Sequence, residues 1–336
     1  MKPNKESVRV VLKLFLGSLV IYYVLHSKMV DFNALHSVLW SPGNLVLGFF
    51  FLTLSVLFSA ARWRLLVRAQ GLSLSYGHLV ELSFIGAFFN TFMPGAVGGD
   101  LIKAWYIAGR EPQRKTLAIF TVLLDRGLGL TVILFYSATT LLFFTEWLSG
   151  RPQFQGIALG IWGFASATLV ISLLFFTSRI WSKKRGDRFL SFFKKSRRVG
   201  VLVDATLVYR QHLGSVLLAS LLSALSILGM IVLHKMIGNG IGIPLTFSQY
   251  LFLVPLAMTV SAVPLLPGGI GVGQVAFFTL FKWMGVPDPD QGGALCTLIQ
   301  IYTLLFSLAG LVPYLRYKRH NTEAARAEGP VAASLS

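Results

Sequence analysis

The chain has little cysteine and little charge. Of its 336 residues one is cysteine, Cys296, and 13% are charged. A single thiol excludes an intrachain disulfide and a cysteine-based metal cluster, and its apolar neighbours indicate a small buried residue. So little charge, together with 54% hydrophobic residues and a mean hydropathy of +0.69, excludes a soluble domain. The composition predicts an all-α integral membrane protein.

Acidic residues are scarce compared with basic ones. The 13 Asp and Glu face 30 Lys and Arg, which gives a formal net charge of +17. In a soluble protein this excess would favour nucleic-acid binding. Here most basic residues lie in the gaps between apolar segments, where the positive-inside rule collects them on the cytoplasmic side. We therefore expect no nucleic-acid partner.

Motifs for catalysis and cofactor binding are missing from the sequence. It has no Gly-x-Ser-x-Gly nucleophile elbow and no Gly-x-x-x-x-Gly-Lys-[Ser/Thr] phosphate loop. The histidines are scattered without metal-ligand spacing: His26, His36, His78, His212, His234 and His320. We expect no enzymatic activity, no cofactor and no metal site.

Six apolar segments are long enough to cross a hydrocarbon layer of about 30 Å. They cover residues 8–26, 43–61, 116–145, 156–178, 214–235 and 293–314. Two further apolar pieces, 79–109 and 247–284, are interrupted by proline and glycine. If each interrupted piece enters and leaves on one side, most basic loops and both termini are cytoplasmic. The sequence predicts about six full transmembrane helices and two re-entrant, broken hairpins.

The two interruptions resemble each other. Pro94–Leu101 reads PGAVGGDL and Pro267–Gln274 reads PGGIGVGQ, with the prolines 173 residues apart. A backbone that leaves the helix in lipid must line a cavity or be buried in protein, and paired breaks in two halves indicate a central binding site. We predict inverted repeats over 43–145 and 214–314 within one polytopic domain, 1–336. The alternative is chance similarity, since small residues also help helices to pack.

A basic segment, residues 179–200, joins the two halves. Nine basic residues face one acid, Asp187, and phenylalanines interleave with them. Such clusters attract anionic headgroups, and the mixture suits a cytoplasmic interfacial helix; an ordinary cytoplasmic loop is the alternative. The expected headgroup contacts are Lys183, Lys184, Arg185, Lys194, Lys195, Arg197 and Arg198. We expect the polar tail, 318–336, to be disordered.

Ionisable residues at membrane depth are costly and therefore mark candidate sites. Asp125 and Arg126 are adjacent, so on a helix they point about 100° apart and each needs another partner. The guanidinium fork of Arg126 suits a phosphate headgroup; the alternative is a salt bridge to Glu81 or Asp100. Asp100 could also serve only as a helix cap. The predicted substrate-binding set is Arg126, Asp125, Asp100, Asn90, Glu81, Gly95, Gly98, Gly99, Gly268, Gly269, Gly271 and Gln274.

At these motifs the chain resembles the lysylphosphatidylglycerol synthase transmembrane, or flippase-like, family. The resemblance covers about residues 8–317 and rests on four sequence features. They are Arg62-Trp63-Arg64-Leu65-Leu66, Phe89-Asn90 through Lys103-Ala104, the Asp125-Arg126 pair and Pro267-Gly268-Gly269-Ile270-Gly271-Val272. The resemblance implies a bacterial-type inner-membrane protein with re-entrant helices that handles phospholipids or lipid-linked precursors.

The chain departs from the family pattern in its second half. Members often carry an acid where this chain has Gln274 and an arginine near Gln300-Ile301-Tyr302. Both changes lower the charge at the predicted site, which puts a substrate identical to that of the aminoacyl-lipid relatives in doubt. The chain also ends at Ser336 without the soluble aminoacyltransferase domain of full-length synthases, so we expect no lysyl transfer.

Two functions remain open at this point. The first is a flippase or scramblase, in which the two halves rock about a central cavity and lipid tails stay in the bilayer. The second is an accessory subunit that presents a lipid to a glycosyl- or aminoacyl-transferase, favoured only by the missing energy source. Expected partners are a phospholipid or lipid-linked substrate, anionic headgroups, and a transferase or a second copy of the chain.

Overall fold

A computed structural model describes residues 41–92, 98–145, 150, 152–177, 197–261 and 271–317. These ranges are helical and contain no strand. We number the helices in chain order: α1 (Pro42–Ala69), α2 (Tyr76–Phe92), α3 (Gly98–Arg110), α4 (Lys115–Phe143), α5 (Pro152–Thr177), α6 (Arg197–Gln211), α7 (Leu213–Gly240), α8 (Phe247–Ser261), α9 (Val272–Met284) and α10 (Asp290–Ser307). A short 3-10 turn, Leu308–Gly310, joins α10 to a helical continuation that reaches Tyr317.

Five predicted crossings are confirmed as helices long and apolar enough to span a membrane. They are Pro42–Ala69, Lys115–Phe143, Gln155–Thr177, Leu213–Gly240 and Asp290–Tyr317. Each interrupted piece forms two helices, α2 with α3 and α8 with α9. The predicted first span and disordered tail, together with residues 93–97 and 262–270 between the paired helices, lie outside the described residues.

Helix α1 extends further than the apolar pattern indicates. The pattern ends near residue 61, but the helix continues for two more turns, so the arginines that follow are helical. It stops at Gly71, whose φ of 69° is the left-handed conformation that glycine adopts readily. Leu72 N–H then donates to the Val67 carbonyl at 3.2 Å. Arg62 is therefore part of a transmembrane helix and not of a loop.

Helices α1 and α7 pack along each other in the centre of the described bundle. The side-chain hydroxyls of Ser55 and Ser226 lie 2.7 Å apart. Phe51, which precedes Ser55 on α1, lies beside Gly229, which follows Ser226 on α7. Arg62, which follows Ser55 on α1, donates a hydrogen bond to Ser223, which precedes Ser226 on α7. Residue numbers rise along one helix while they fall along the other, so the two helices run antiparallel.

The three helices that follow α1 and the three that follow α7 pack in the same order. Helix α2 packs on α1, α3 on α2 and α4 on α3; correspondingly, α8 packs on α7, α9 on α8 and α10 on α9. The halves also exchange contacts, since α8 packs on α4 and α2 packs on α10. The larger apolar core includes the fully buried Tyr250, Phe281 and Tyr302, and a smaller one surrounds Trp63 and Ile107.

Helix α3 approaches α2 so closely that one position requires glycine. A Cβ atom at Gly99 would overlap the carbonyl oxygen of Gly86, which is backbone and cannot rotate away. At Gly109, on the same helix, a Cβ atom would meet nothing within 4 Å. The backbones of α2 and α3 thus approach each other closely at Gly86 and Gly99.

We expect Gly99→Ala to destabilise the protein by about 1–3 kcal/mol, the usual cost of forcing extra volume into a packed site. Gly109→Ala is the matched control and should be neutral or slightly stabilising, since alanine is the better helix former. Thermal unfolding of the detergent-purified protein measures both. Equal melting temperatures for the two variants would contradict the close α2–α3 contact.

Candidate functional site

A buried ion pair joins α1 and α4. Arg62 Nε donates to Asp125 Oδ1 at 2.7 Å, and Arg62 Nη2 donates to Asp125 Oδ2 at 3.0 Å. The two side chains are 11% and 7% exposed. Two parallel N–H···O bonds are the strongest arrangement that an arginine and a carboxylate form. Arg62 is therefore the cation that neutralises Asp125, an acid within an apolar helix.

Two serines accept further hydrogen bonds from the Arg62 guanidinium. Nη1 donates to Ser223 Oγ on α7 at 3.1 Å, and Nη2 donates to Ser59 Oγ on α1 at 3.2 Å. A Cβ atom at Gly129 would lie 3.1 Å from Nη1, so the small residue there leaves room for the side chain. One guanidinium thus links α1, α4 and α7.

The sequence pointed to Arg62 only as part of a family motif. Because Arg62 directly follows an apolar segment that ends near residue 61, the hydropathy pattern did not show its role. The signal that could have found it was Asp125, an acid within an apolar helix that had to have a cation from another helix.

The neighbouring residue, Arg126, pairs differently. Arg126 Nη1 lies 3.5 Å from Asp100 Oδ2, with the two side chains 38% and 14% exposed. This oxygen of Asp100 is buried and accepts no hydrogen bond within the described part of the chain. Of the two salt-bridge partners considered for Arg126, the structure places Asp100 beside it. The pair is loose, and the arginine is partly accessible.

Lys103 brings a further cation to the same place. It lies three residues after Asp100 on α3 and is 7% exposed. Its ammonium lies 4.9 Å from the centre of the Trp63 ring, a cation–π contact. Among the described residues no carboxylate oxygen lies within 4 Å of this ammonium. Lys103 and Arg126 both act electrostatically on Asp100.

The charges of this cluster do not cancel. It contains three cations, Arg62, Lys103 and Arg126, but only two acids, Asp100 and Asp125. The Arg62–Asp125 pair is closed by good hydrogen bonds. One positive charge is therefore left over around Asp100, and it can be balanced by an anion from outside the described residues.

Asn90 and Glu81 form contacts of their own, distinct from the Arg126–Asp100 pair. Asn90 Oδ1 accepts a hydrogen bond from the Gly99 N–H at 2.8 Å, so it caps the first turn of α3 from α2. Gly98 and Gly99 are buried there. Glu81 is 59% exposed and lies 3.6 Å from His78 Nδ1. The structure does not bring Glu81 together with Arg126.

In the second half, two amides lie at the start of α9 and on α10. Gln274 Oε1 accepts a hydrogen bond from the Gly271 N–H at 2.7 Å, and Gln274 Nε2 donates to Gln300 Oε1 at 2.7 Å. A weaker contact of 3.4 Å leads to Thr297 Oγ1. Gly271 has a φ of 86°, which favours glycine at the start of α9. Gln274 is thus a helix cap tied to α10.

Both halves place a polar pair at the same spacing. Gln300 follows Gln274 by 26 residues, and Arg126 follows Asp100 by the same interval. Each first member lies in the opening turn of the helix after the break, α9 or α3. One pair is charged and loose, and the other is neutral and closely hydrogen-bonded.

Several predicted site residues lie outside the described residues, and nothing tests their predicted roles. These are Gly95, Gly268, Gly269, Lys183, Lys184, Arg185, Lys194 and Lys195. Arg197 and Arg198 open helix α6, whose first side chains are also not described.

Comparison with known proteins places the chain. The model of the lysylphosphatidylglycerol synthase TM region matches residues 10–310. The chain belongs to this family. The family resemblance inferred from the sequence motifs is thereby confirmed, as is a multi-pass membrane location.

Archaeal relatives share much of its length. A UPF0104 membrane protein from Pyrococcus horikoshii is 26% identical over 257 residues, which cover 69% of this chain and 75% of the relative. Another, from Methanothermobacter thermautotrophicus, is 22% identical over 294 residues, 80% of this chain and 83% of the relative. A third, from Methanocaldococcus jannaschii, is 26% identical over 136 residues, 40% of either chain.

The Arg62–Asp125 pair gives a stability prediction. Asp125→Asn should destabilise the protein by about 3–5 kcal/mol, because it leaves Arg62 buried without its anion. Arg62→Met combined with Asp125→Leu removes both charges and should recover most of the loss. Melting temperatures of the purified protein compare the variants. A single variant as stable as the unaltered protein would show that the pair does not hold α1 against α4.

Proposed function

We propose that this protein handles lipids in the inner membrane, holding the phosphate of a phospholipid or lipid-linked precursor and moving it between leaflets. The observation that carries the proposal is the unbalanced charge around Asp100. At membrane depth an unpaired cation is costly. The headgroup regions that flank the hydrocarbon layer supply lipid phosphates as the nearest anions.

Arg126 is the group that we assign to the phosphate. Its side chain is 38% exposed, so a headgroup can reach it. Its guanidinium presents several N–H donors in a plane, which suits two phosphate oxygens at once. Its present partner, Asp100, lies 3.5 Å away, longer than a charge-assisted hydrogen bond of about 2.7–2.9 Å. A phosphate can therefore compete for Arg126.

The charge count also selects the kind of phosphate. A phosphodiester, which links most phospholipid headgroups, carries one negative charge. One such charge added to three cations and two acids makes the cluster neutral. A phosphomonoester, with a charge of about −1.5 to −2 near pH 7, would overshoot. We infer a phosphodiester lipid as the substrate class.

For the movement itself we propose two inverted repeats, α1–α4 and α7–α10, each containing a re-entrant hairpin. The antiparallel packing of α1 on α7 supports this, as does the contact between Ser55 and Ser226, which lie 171 residues apart. Helices of equal length, Pro42–Ala69 and Leu213–Gly240, open the two sets. Transporters built in this way rock one repeat against the other around a midplane site. Both termini would then be cytoplasmic.

Transport in liposomes tests the assignment of Arg126. The purified protein should move fluorescently labelled phosphatidylglycerol between leaflets, and Arg126→Ala should abolish the movement. Asp100→Gln combined with Arg126→Gln copies the amide pair of the second half, so it should keep the fold but lose transport. Lys282→Gln removes an exposed charge elsewhere and is the control that should transport normally.

Normal transport by Arg126→Ala would remove this residue from the mechanism. No transport by the unaltered protein, together with a co-purifying transferase, would replace flipping by the presentation of a lipid to that enzyme. Normal transport by the double variant would show that the charge of the pair is not used.

Cysteine labelling tests the re-entrant arrangement. In a Cys296→Ser background, Ala96→Cys should not react with a membrane-impermeant maleimide added outside, and Ile270→Cys should not react with it from the cytoplasmic side. Lys282→Cys and Arg316→Cys are the outer and inner controls. Labelling of both turns from the opposite side would mean ordinary crossings and would contradict the hairpins.

A further inference from the structure

A polar cavity lies at the turn between α1 and α2, and its lining residues differ from those of the Arg126 cluster. It has a volume of about 460 Å³ and is open to the surroundings. Its lining carries two arginines and two serines but no carboxylate: Arg64, Arg68, Gly71, Leu72, Ser73, Leu74 and Ser75. Such a lining favours an anion.

Arg64 has an N–H group without a partner. Its Nε is buried and has no hydrogen-bond acceptor among the residues that the structure describes. The guanidinium lies 5.6 Å from the centre of the Tyr76 ring. Tyr76 is itself fixed, because its hydroxyl donates to the Leu57 carbonyl at 2.9 Å. A buried donor normally has an acceptor, so Arg64 Nε can donate to an anion bound in the cavity.

Further positive charge surrounds the same cavity. Arg68 follows Arg64 by four residues on α1, a spacing at which like charges face each other and destabilise a helix. Arg114 lies beside the cavity wall, with Nη1 3.4 Å from the Gly71 carbonyl oxygen. An anion between these groups would relieve the repulsion.

The second half contains the same turn in a closed form. Counting 171 residues onward, the separation of Ser55 and Ser226, leads from Arg64 to Lys235 and from Arg68 to Asn239. Lys235 Nζ donates to Asn239 Oδ1 and to the Leu245 carbonyl, both at 2.6 Å. The cation there is satisfied within the protein. Only the first turn combines two arginines with an unsatisfied donor.

We propose that the α1–α2 cavity binds a phosphate-class anion, supplied by an anionic lipid headgroup or by free phosphate. Arg64 and Arg68 supply the charged donors. Ser73 and Ser75 are exposed and bring hydroxyls to the wall. Ser75 also caps α2, since its Oγ accepts from the His78 N–H at 3.3 Å, and the positive end of that helix dipole adds to the attraction.

The variant that tests the site introduces the residue types of Lys235 and Asn239 at the two arginine positions. Arg64→Lys combined with Arg68→Asn should close the cavity as Lys235 and Asn239 close theirs, so the fold should survive while binding is lost. Lys282→Gln combined with Arg316→Gln removes exposed charges elsewhere and is the control. All proteins carry Arg126→Ala, so the proposed transport site does not contribute and its failure stays separate.

Two probes distinguish the sources of the anion. Calorimetry with inorganic phosphate measures the free ion, and native mass spectrometry with phosphatidylglycerol measures the headgroup. We expect at least one probe to bind and the Arg64/Arg68 variant to weaken that binding by about tenfold or more, the worth of one lost charge-assisted hydrogen bond. The control should bind as before.

Binding of phosphate alone would assign the cavity to the free ion, and binding of phosphatidylglycerol alone would assign it to the membrane headgroup; either supports the site. The site would be overturned by no binding of either probe, or by equal binding by the Arg64/Arg68 variant and its background. A loss that the Lys282/Arg316 control shares would also overturn it, because net charge would then explain the effect.

Discussion

The need to neutralise charge at membrane depth governs this structure. In a low-dielectric surrounding, an ion without a partner costs several kcal/mol, at about the scale of total folding stability. Arg62 and Asp125 meet that need with two short bonds, and two serines satisfy donors of the same guanidinium. Because the participants come from α1, α4 and α7, this one network fixes the first half against the central helix of the second.

The two halves carry different side chains at similar places in the fold. Where the second half uses Gln274 and Gln300, the first has Asp100 and Arg126. Near the end of α7 the second half has Lys235 hydrogen-bonded to Asn239, whereas near the end of α1 the first half has Arg64 and Arg68. In both places the second half is closed by internal hydrogen bonds. The first half keeps charge that its own residues do not fully satisfy.

The sequence predicted the elements better than the contacts. Apolar runs over 43–61 and 214–235 marked α1 and α7, because a span must be long and apolar to cross lipid. The pattern did not show where α1 ends, since helix propensity and a glycine cap, not hydropathy, carry it on to Ala69.

The candidate site was predicted in part for a similar reason. Asp125 and Arg126 stood out as charges within an apolar helix, and Asp100 was one of the partners considered for Arg126. The pairing of Asp125 with Arg62 was not predictable, because Arg62 lies 63 residues before Asp125 and only the packing of α1 on α4 brings the two together. A charge beyond the end of an apolar run looks the same in a sequence whether it faces water or returns to the core.

The uneven charge of the two halves bears on how a lipid could be released. If both halves offered tight cationic sites, a phosphate would gain strong bonds that it must break on leaving. With Arg126 held by Asp100 at 3.5 Å, phosphate binding exchanges one anion for another. Asp100 then remains beside Lys103, which acts on the same carboxylate. In the proposed function the cluster is neutral with the lipid bound, and without the lipid one surplus positive charge remains, which would attract the next headgroup.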